Sequence, residues 1–152
     1  MLSCTLFAIA IESIVEKLKN LQVKIVLYVD DLTIYATGNT NTAERQIKAA
    51  IRKVEEWSLE TGFQFSAPKT VAMHVCRERT RGVWCTNPAP QLKLYGTPIT
   101  CKDSHVYLGL VIDNRLKWNK HIDYLREECQ RRLNLLKHLS HTDWGADTTP
   151  LL

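Results

Sequence analysis

The sequence predicts an α+β fold, and three observations carry that expectation. Short apolar runs alternating with polar residues lie on both sides of an adjacent aspartate pair, Asp30-Asp31, as strands flank a turn. Longer stretches, by contrast, repeat apolar residues at helical spacing, notably Ile47, Ala50, Ile51, Val54 and Trp57. Gly and Pro gather between these periodic segments and punctuate them.

The elements follow in order. A helix is expected from about Thr5 to Lys19, its apolar run Leu6–Ile11 marking a buried segment. That run is too short to span a bilayer, is followed by Glu12, Glu16, Lys17 and Lys19, and lacks the basic leader of a signal peptide, so no membrane partner is expected. Next comes a buried hairpin. Val23, Ile25 and Leu27 alternate with Lys24, Val26 and Tyr28, and after the aspartates Leu32 and Ile34 alternate with Thr33 and Tyr35. Asn41 with Glu44 reads as a capping box opening the second helix, whose apolar face runs from Ile47 to Trp57 and which Gly62 stops. Phe63, Phe65, Val71, Met73 and Val75 then fall at strand positions. Residues 77–91 are polar and broken by Gly82, Pro88 and Pro90, which predicts a loop. Trp118, Ile122, Leu125, Cys129, Leu133 and Leu136 mark a last amphipathic helix.

Composition narrows the class. With 152 residues, 45% of them hydrophobic, the chain can bury one core. Twenty Lys and Arg against 16 Asp and Glu give a net charge of +4, which permits nucleic-acid binding without requiring it. The excess concentrates between Arg115 and Lys137, where Arg115, Lys117, Lys120, Arg126, Arg131, Arg132 and Lys137 oppose Asp123, Glu127 and Glu128. If Trp118, Ile122, Leu125, Cys129 and Leu133 face inward, Lys120 and Arg131 are left to meet a phosphate backbone; the plain alternative is a solvated face. The cysteines, Cys4, Cys76, Cys85, Cys101 and Cys129, are odd in number and lack C-x-x-C pairing, so reduced thiols inside the cell are expected and no zinc site. Nuclear or cytoplasmic location stays open, as does oligomeric state.

The aspartate pair carries the chemistry. Hard carboxylate oxygens at the tip of a hairpin suit Mg²⁺, which shares its ligands with substrate phosphates. Asp is also a common turn residue, so the pair alone fits an ordinary turn.

Tyr28-Val29-Asp30-Asp31 resembles the Tyr-X-Asp-Asp box of reverse transcriptases, and the resemblance continues in order. Trp57, Thr61-Gly62-Phe63-Gln64-Phe65-Ser66, Lys69-Thr70 and Met73 resemble the next palm segment. Leu94–Ile99 and Tyr107–Asp113 resemble the primer-grip hairpin, and Leu116-Lys117-Trp118 with His121-Ile122 resembles the entry to the thumb. The style is that of non-LTR retrotransposons. Leu2-Ser3 and Leu6-Phe7 resemble the end of an earlier family segment, with Cys4 where Pro is usual.

That resemblance implies a partial polymerase palm over 1–91, a primer-grip-like hairpin over 92–113 and the start of a helical thumb over 114–152. It implies RNA-directed DNA polymerisation by two-metal nucleotidyl transfer, with an RNA template, a DNA primer and dNTPs as partners and Mg²⁺ as cofactor. Asp30 is the first-choice metal ligand, Asp31 a secondary electrostatic one, and Lys69 the cation beside the departing pyrophosphate. Tyr28 would lie beneath the site, as a core aromatic or a substrate contact, and Tyr107, Leu108 and Gly109 would meet the primer. The family's further metal-binding Asp is expected upstream of Met1, so the chain alone is expected to be inactive. His141–Asp147 resembles a loop within the thumb, and Pro150 the start of a further helix. The alternative is a non-catalytic nucleic-acid-binding remnant of a retroelement; a nucleotide cyclase palm fits less well after Gly62.

Overall fold

The computed structural model describes residues 2–76, 79–80, 83–84 and 90–139. Along the chain run α1 (Leu2–Leu18), β1 (Lys24–Tyr28), β2 (Asp31–Tyr35), α2 (Thr40–Thr61), β3 (Val71–Ala72), β4 (Arg79–Thr80) and β5 (Val83–Trp84). There follow β6 (Lys93–Leu94), β7 (Thr97–Pro98), β8 (Thr100–Cys101), β9 (Ser104–Tyr107), β10 (Leu110–Asp113) and α3 (Asn119–Leu139). The mixture of helices with small sheets is the expected α+β class. The residues divide into two compact units: Met1–His74 with Cys85–Lys102, and Val75–Trp84 with Asp103–Leu152.

The first unit is built on a hydrophobic core. Ile11, Ile14 and Leu18 of α1 meet Ala50, Val54 and Trp57 of α2, together with Leu94 of β6. Ile25, Leu27, Leu32 and Ile34 pack onto this cluster from β1 and β2, so the hairpin buries one face only. Pairing is antiparallel, Lys24 opposite Tyr35 through Tyr28 opposite Asp31. α1 is likewise one-sided: Leu6 and Ile9 are exposed, where the apolar run predicts burial. α2 opens at Asn39, whose side chain accepts the Asn41 N–H at 3.1 Å. The cap therefore lies two residues before the expected Asn41, and the carboxylate of Glu44 bonds Lys48 instead. Gly62 ends α2 as expected, in the left-handed conformation at φ 79°, its N–H bonded to the carbonyl of Ser58.

Beyond Gly62 the strand shrinks to Val71–Ala72, parallel to β8. Phe63 and Phe65 precede it outside any strand: their backbone N–H groups bond the hydroxyls of Thr61 and Tyr95 rather than a neighbouring strand, and their rings lie against Trp57 at centroid distances of 5.8 and 6.0 Å. Residues 77–91, expected as loop, hold a short antiparallel ladder, Arg79 opposite Trp84 and Thr80 opposite Val83. Between 92 and 113, where one hairpin is expected, two form: β6–β7 in the first unit and β9–β10 in the second. Their turns, Tyr95-Gly96 and Leu108-Gly109, have positive φ at both residues, the twist that suits two-residue hairpins.

In the second unit α3 departs from expectation. Trp118, Ile122, Leu125, Leu133 and Leu136 are exposed, Ile122 and Leu136 by 60% and 63%, and Cys129 is an exposed free thiol. Helical spacing fixes which face is apolar; it does not supply a surface to cover it. Reduced cysteines hold for Cys101 and Cys129, but Cys76 is disulfide-bonded, a pairing made by folding and invisible to spacing. The expectations for His141–Asp147 and Pro150 lie outside the described residues. No described helix is long and apolar enough to cross a membrane.

Candidate active site

Register defines the tip of the first hairpin. With Tyr28 paired to Asp31, Val29 and Asp30 form a two-residue turn. Val29 has φ 53° while Asp30 keeps a negative φ. A β-branched residue in the left-handed region is strained. Its 65% exposure shows that side-chain packing does not offset that strain.

Alternation then decides where the chemistry points. Ile25, Leu27, Leu32 and Ile34 turn toward the core, so Lys24, Val26 and Tyr28 with their partners Tyr35, Thr33 and Asp31 form the other face. Tyr28 and Asp31 are thus cross-strand neighbours on the outer face, with Asp30 exposed at the turn beside them. At 57% exposure Tyr28 is no core aromatic. Lys24 lies over the ring of Tyr35 at 5.9 Å, a cation–π contact on the same face.

Asp30 and Asp31 present hard oxygen donors to solvent at the hairpin tip, a donor type that suits Mg²⁺. Among the described residues no three His, Cys, Asp or Glu side chains converge as a metal cluster.

Lys69 belongs to the same unit but to another turn. Its N–H and that of Thr70 both reach the carbonyl of Ser66, at 3.1 and 3.0 Å, and the Thr70 hydroxyl adds a third bond to that oxygen at 2.9 Å. The turn holds the backbone of Lys69 and leaves its side chain exposed. Nearby, a polar cluster escaped the sequence reading. The Tyr95 hydroxyl lies 2.5 Å from Ser58 Oγ and accepts the Phe65 N–H at 3.3 Å, while Glu55 accepts the Tyr95 N–H at 2.6 Å. Its sequence signal is the turn dipeptide Tyr95-Gly96.

The remaining candidates lie in the second unit. Tyr107 begins the β9–β10 turn, and its hydroxyl is buried with no hydrogen-bond partner among the described residues. Leu108 and Gly109 form the turn itself, at φ 46° and 82°. Lys120 donates to Ser104 Oγ at 2.9 Å, and Arg131 pairs with Glu128. Both cations are exposed, yet each already has a partner within the chain.

The organising residue there is Asp113, only 8% exposed and also missed by the sequence reading. Its carboxylate accepts N–H groups from Arg115, Lys117 and Trp118 at 3.0–3.2 Å, just ahead of α3. Burial pushes this carboxyl upward, but the N–H donors of Lys117, Trp118 and Arg115, joined by the charge of Lys120, outweigh it and hold Asp113 below the usual carboxylate range. His121 completes the arrangement, its Nδ1 accepting the Val111 N–H at 3.4 Å and its ring stacked on Tyr124.

The first unit thus presents a hairpin with adjacent carboxylates at its tip on a core of two helices, and comparison with known proteins names the class. Residues 1–125 match the family model of reverse transcriptase (RNA-dependent DNA polymerase), and the chain belongs to that family. Among its relatives are a Pol polyprotein of the type-1 retrotransposable element R1 from Bradysia coprophila, 26% identical over 80% of this chain, and a putative 115 kDa protein of element R1DM from Drosophila melanogaster, 29% identical over 78%. A further R1 Pol polyprotein, from Nasonia vitripennis, is 26% identical over 90% of this chain. These are non-LTR retrotransposon proteins, in keeping with the style of the motifs. The chain spans only 12% and 11% of the length of the first two relatives. No solved structure matches it significantly.

Proposed function

We propose that this chain is the catalytic-hairpin portion of a non-LTR retrotransposon reverse transcriptase, acting in template-directed transfer of dNTPs to a primer 3′-hydroxyl. The observation that carries the reading is the exposed Asp30-Asp31 tip, within a segment whose match to the family runs from 1 to 125. In this reading 1–91 is palm, 92–113 the primer grip and 114–152 the start of the thumb.

Asp30 and Asp31 would hold Mg²⁺. When bound, divalent cations supply positive charge at the reacting phosphate and lower the pKa of the attacking primer hydroxyl. The chain's own residues do the rest. The β1–β2 pairing fixes the carboxylates, and Tyr28, on the face of Asp31, offers a flat surface beside the incoming nucleotide. Lys69 would place a cation against the departing pyrophosphate, where negative charge develops. Tyr107, Leu108 and Gly109 would meet the primer through the tight β9–β10 turn, the buried Tyr107 hydroxyl leaving backbone and the Leu108 side chain as the contact surface. Lys120 and Arg131 would reach phosphates by exchanging Ser104 and Glu128 for the backbone.

The test is Asp30→Asn in the full reading frame of the polymerase that carries this segment. The amide keeps the shape and removes the charge. Synthesis is expected to fall by about 10²-fold or more, the scale of one lost electrostatic contact at a developing charge, while primer–template binding holds, because affinity rests on basic contacts elsewhere. Parental synthesis rates in that variant would remove Asp30 from the metal site.

A further inference from the structure

We propose that the cleft between α2 and β6 binds the phosphate backbone of single-stranded nucleic acid. This contact surface lies on residues that the hairpin chemistry does not use. The cleft measures about 330 Å³ and is lined by Lys48, Ile51, Arg52, Gln91 and Lys93. That volume suffices for a nucleotide-sized group.

Its basic character is imposed by the packing on either side. α2 turns Ala50, Val54, Trp57 and Ser58 into the core, which leaves Lys48 and Arg52 one turn apart on the exposed side. Arg45, seven residues before Arg52, continues the same stripe. On the strand side Leu92 and Leu94 are buried, so alternation directs Gln91 and Lys93 outward together. Three cations therefore line one cleft on a helix and a strand that the core holds fixed. Two acids flank these cations and both are engaged: Lys48 lies 2.6 Å from the Glu44 carboxylate and, with the Gln91 N–H, keeps it below the usual carboxylate range, and Glu55 accepts the Tyr95 N–H at 2.6 Å. Arg52 and Lys93 make no ion pair among the described residues. A guanidinium fork and an ammonium suit phosphate oxygens, and the amide of Gln91 adds a donor to the same surface. Ile51 gives an apolar patch for the sugar edge. With no aromatic platform lining the cleft, recognition is of phosphate and independent of base sequence.

The inference rests on membership of a nucleic-acid polymerase family, and its test separates it from the polymerase reading. Binding of a fluorescent single-stranded RNA, and of DNA of the same sequence, is measured by anisotropy across several salt concentrations. The proteins are the 152-residue chain, its Arg52→Ala/Lys93→Ala variant and a Lys120→Ala/Arg131→Ala variant. Each phosphate contact on a single strand contributes about 0.7 to the log–log salt slope. The cleft variant is expected to flatten the slope by about 1.4, equally for RNA and DNA, with an unchanged circular dichroism spectrum. If the alanine pair fails to fold, Arg52→Gln/Lys93→Gln carries the same measurement. An unchanged slope in the cleft variant overturns the proposal and, if the α3 variant is flattened instead, assigns the contacts to α3. Absence of binding by the parent chain overturns it too; neither outcome touches the polymerase reading, which stands or falls with Asp30→Asn.

Discussion

The first unit keeps Ile11, Ile14, Leu18, Ala50, Val54, Trp57 and Leu94 away from water and hangs its hairpin on them. The second has no buried hydrophobic residue among those described; its one buried side chain is the carboxylate of Asp113. Apolar contact is non-directional and tolerates small shifts, so the β1–β2 hairpin is held by area. A carboxylate collecting N–H groups is directional, so the β10–α3 junction is held by geometry, and a change of one proton can undo it. The two hairpins, each with a two-residue turn, should therefore answer differently to mutation and to pH.

Truncation of the deepest aromatic should break the comparison most sharply. Trp57 is 1% exposed, meets Phe63 and Phe65, and donates its indole N–H to Ser13 Oγ at 2.7 Å. Trp57→Ala is expected to cost ~3–5 kcal/mol, the range for large aromatic-to-alanine changes in a core. Leu136→Ala on α3, where the side chain is 63% exposed, is expected to stay within ~0.5 kcal/mol. Urea denaturation followed by circular dichroism checks both. Equal losses at the two positions would mean that α3 is covered in solution.

Acid should separate the units in the opposite direction. Asp113 is held below its ordinary value of 3.8 in the folded chain, so the unfolded chain takes up the proton first as pH falls. The stability it contributes is fully present above that ordinary value and is lost as pH drops through the folded value. The indole NMR signal of Trp118, whose N–H group on the backbone bonds Asp113, is expected to hold its native position from neutral pH to about 5 and to collapse in stronger acid. Asp113→Asn removes that acid response and loosens the junction already at neutral pH, while the Trp57 signal keeps its native shift. Simultaneous loss of both signals in Asp113→Asn would show that the two units unfold as one.

Much of the first unit was legible in the sequence, because its signals are local and its core covers them. The alternation Ile25-Leu27 and Leu32-Ile34, the α2 face at Ala50, Val54 and Trp57, and the stop at Gly62 all follow from period and turn chemistry. The cap was misplaced because Asn39 and Asn41 are chemically equal candidates, and only the chain's entry direction after Gly38 decides between them. Tyr28 stayed open between core aromatic and substrate contact for a different reason: alternation places it on the face opposite Leu27, but which face meets a core is tertiary information, and its exposure excludes the core alternative. Asp113 gave no periodic signal, since its role lies in backbone donors two to five residues ahead. The exposed side of α3 follows the same logic, since amphipathicity records an apolar face without its partner.

Three two-residue turns differ in what occupies the left-handed region. Tyr95-Gly96 and Leu108-Gly109 place glycine second among two positive-φ residues, whereas Val29-Asp30 places a β-branched residue alone in the left-handed region. That conformation costs an L-residue about 1–2 kcal/mol, while a glycine there raises the entropy of the unfolded chain by an amount worth about 0.4–1 kcal/mol. At the midpoints of these ranges the difference favours glycine by about 0.8 kcal/mol, since the exposed Val29 side chain contributes little packing to lose. Val29→Gly is therefore expected to raise Tm by about 1–4 °C in a chain of this size, with Leu108→Gly giving a smaller gain because leucine lacks the branch at Cβ. Thermal melts of both variants decide it. A fall in Tm for Val29→Gly would mean that the strain is relieved by contacts the valine makes, and the hairpin tip would then owe its shape to its side chains rather than to the β1–β2 register.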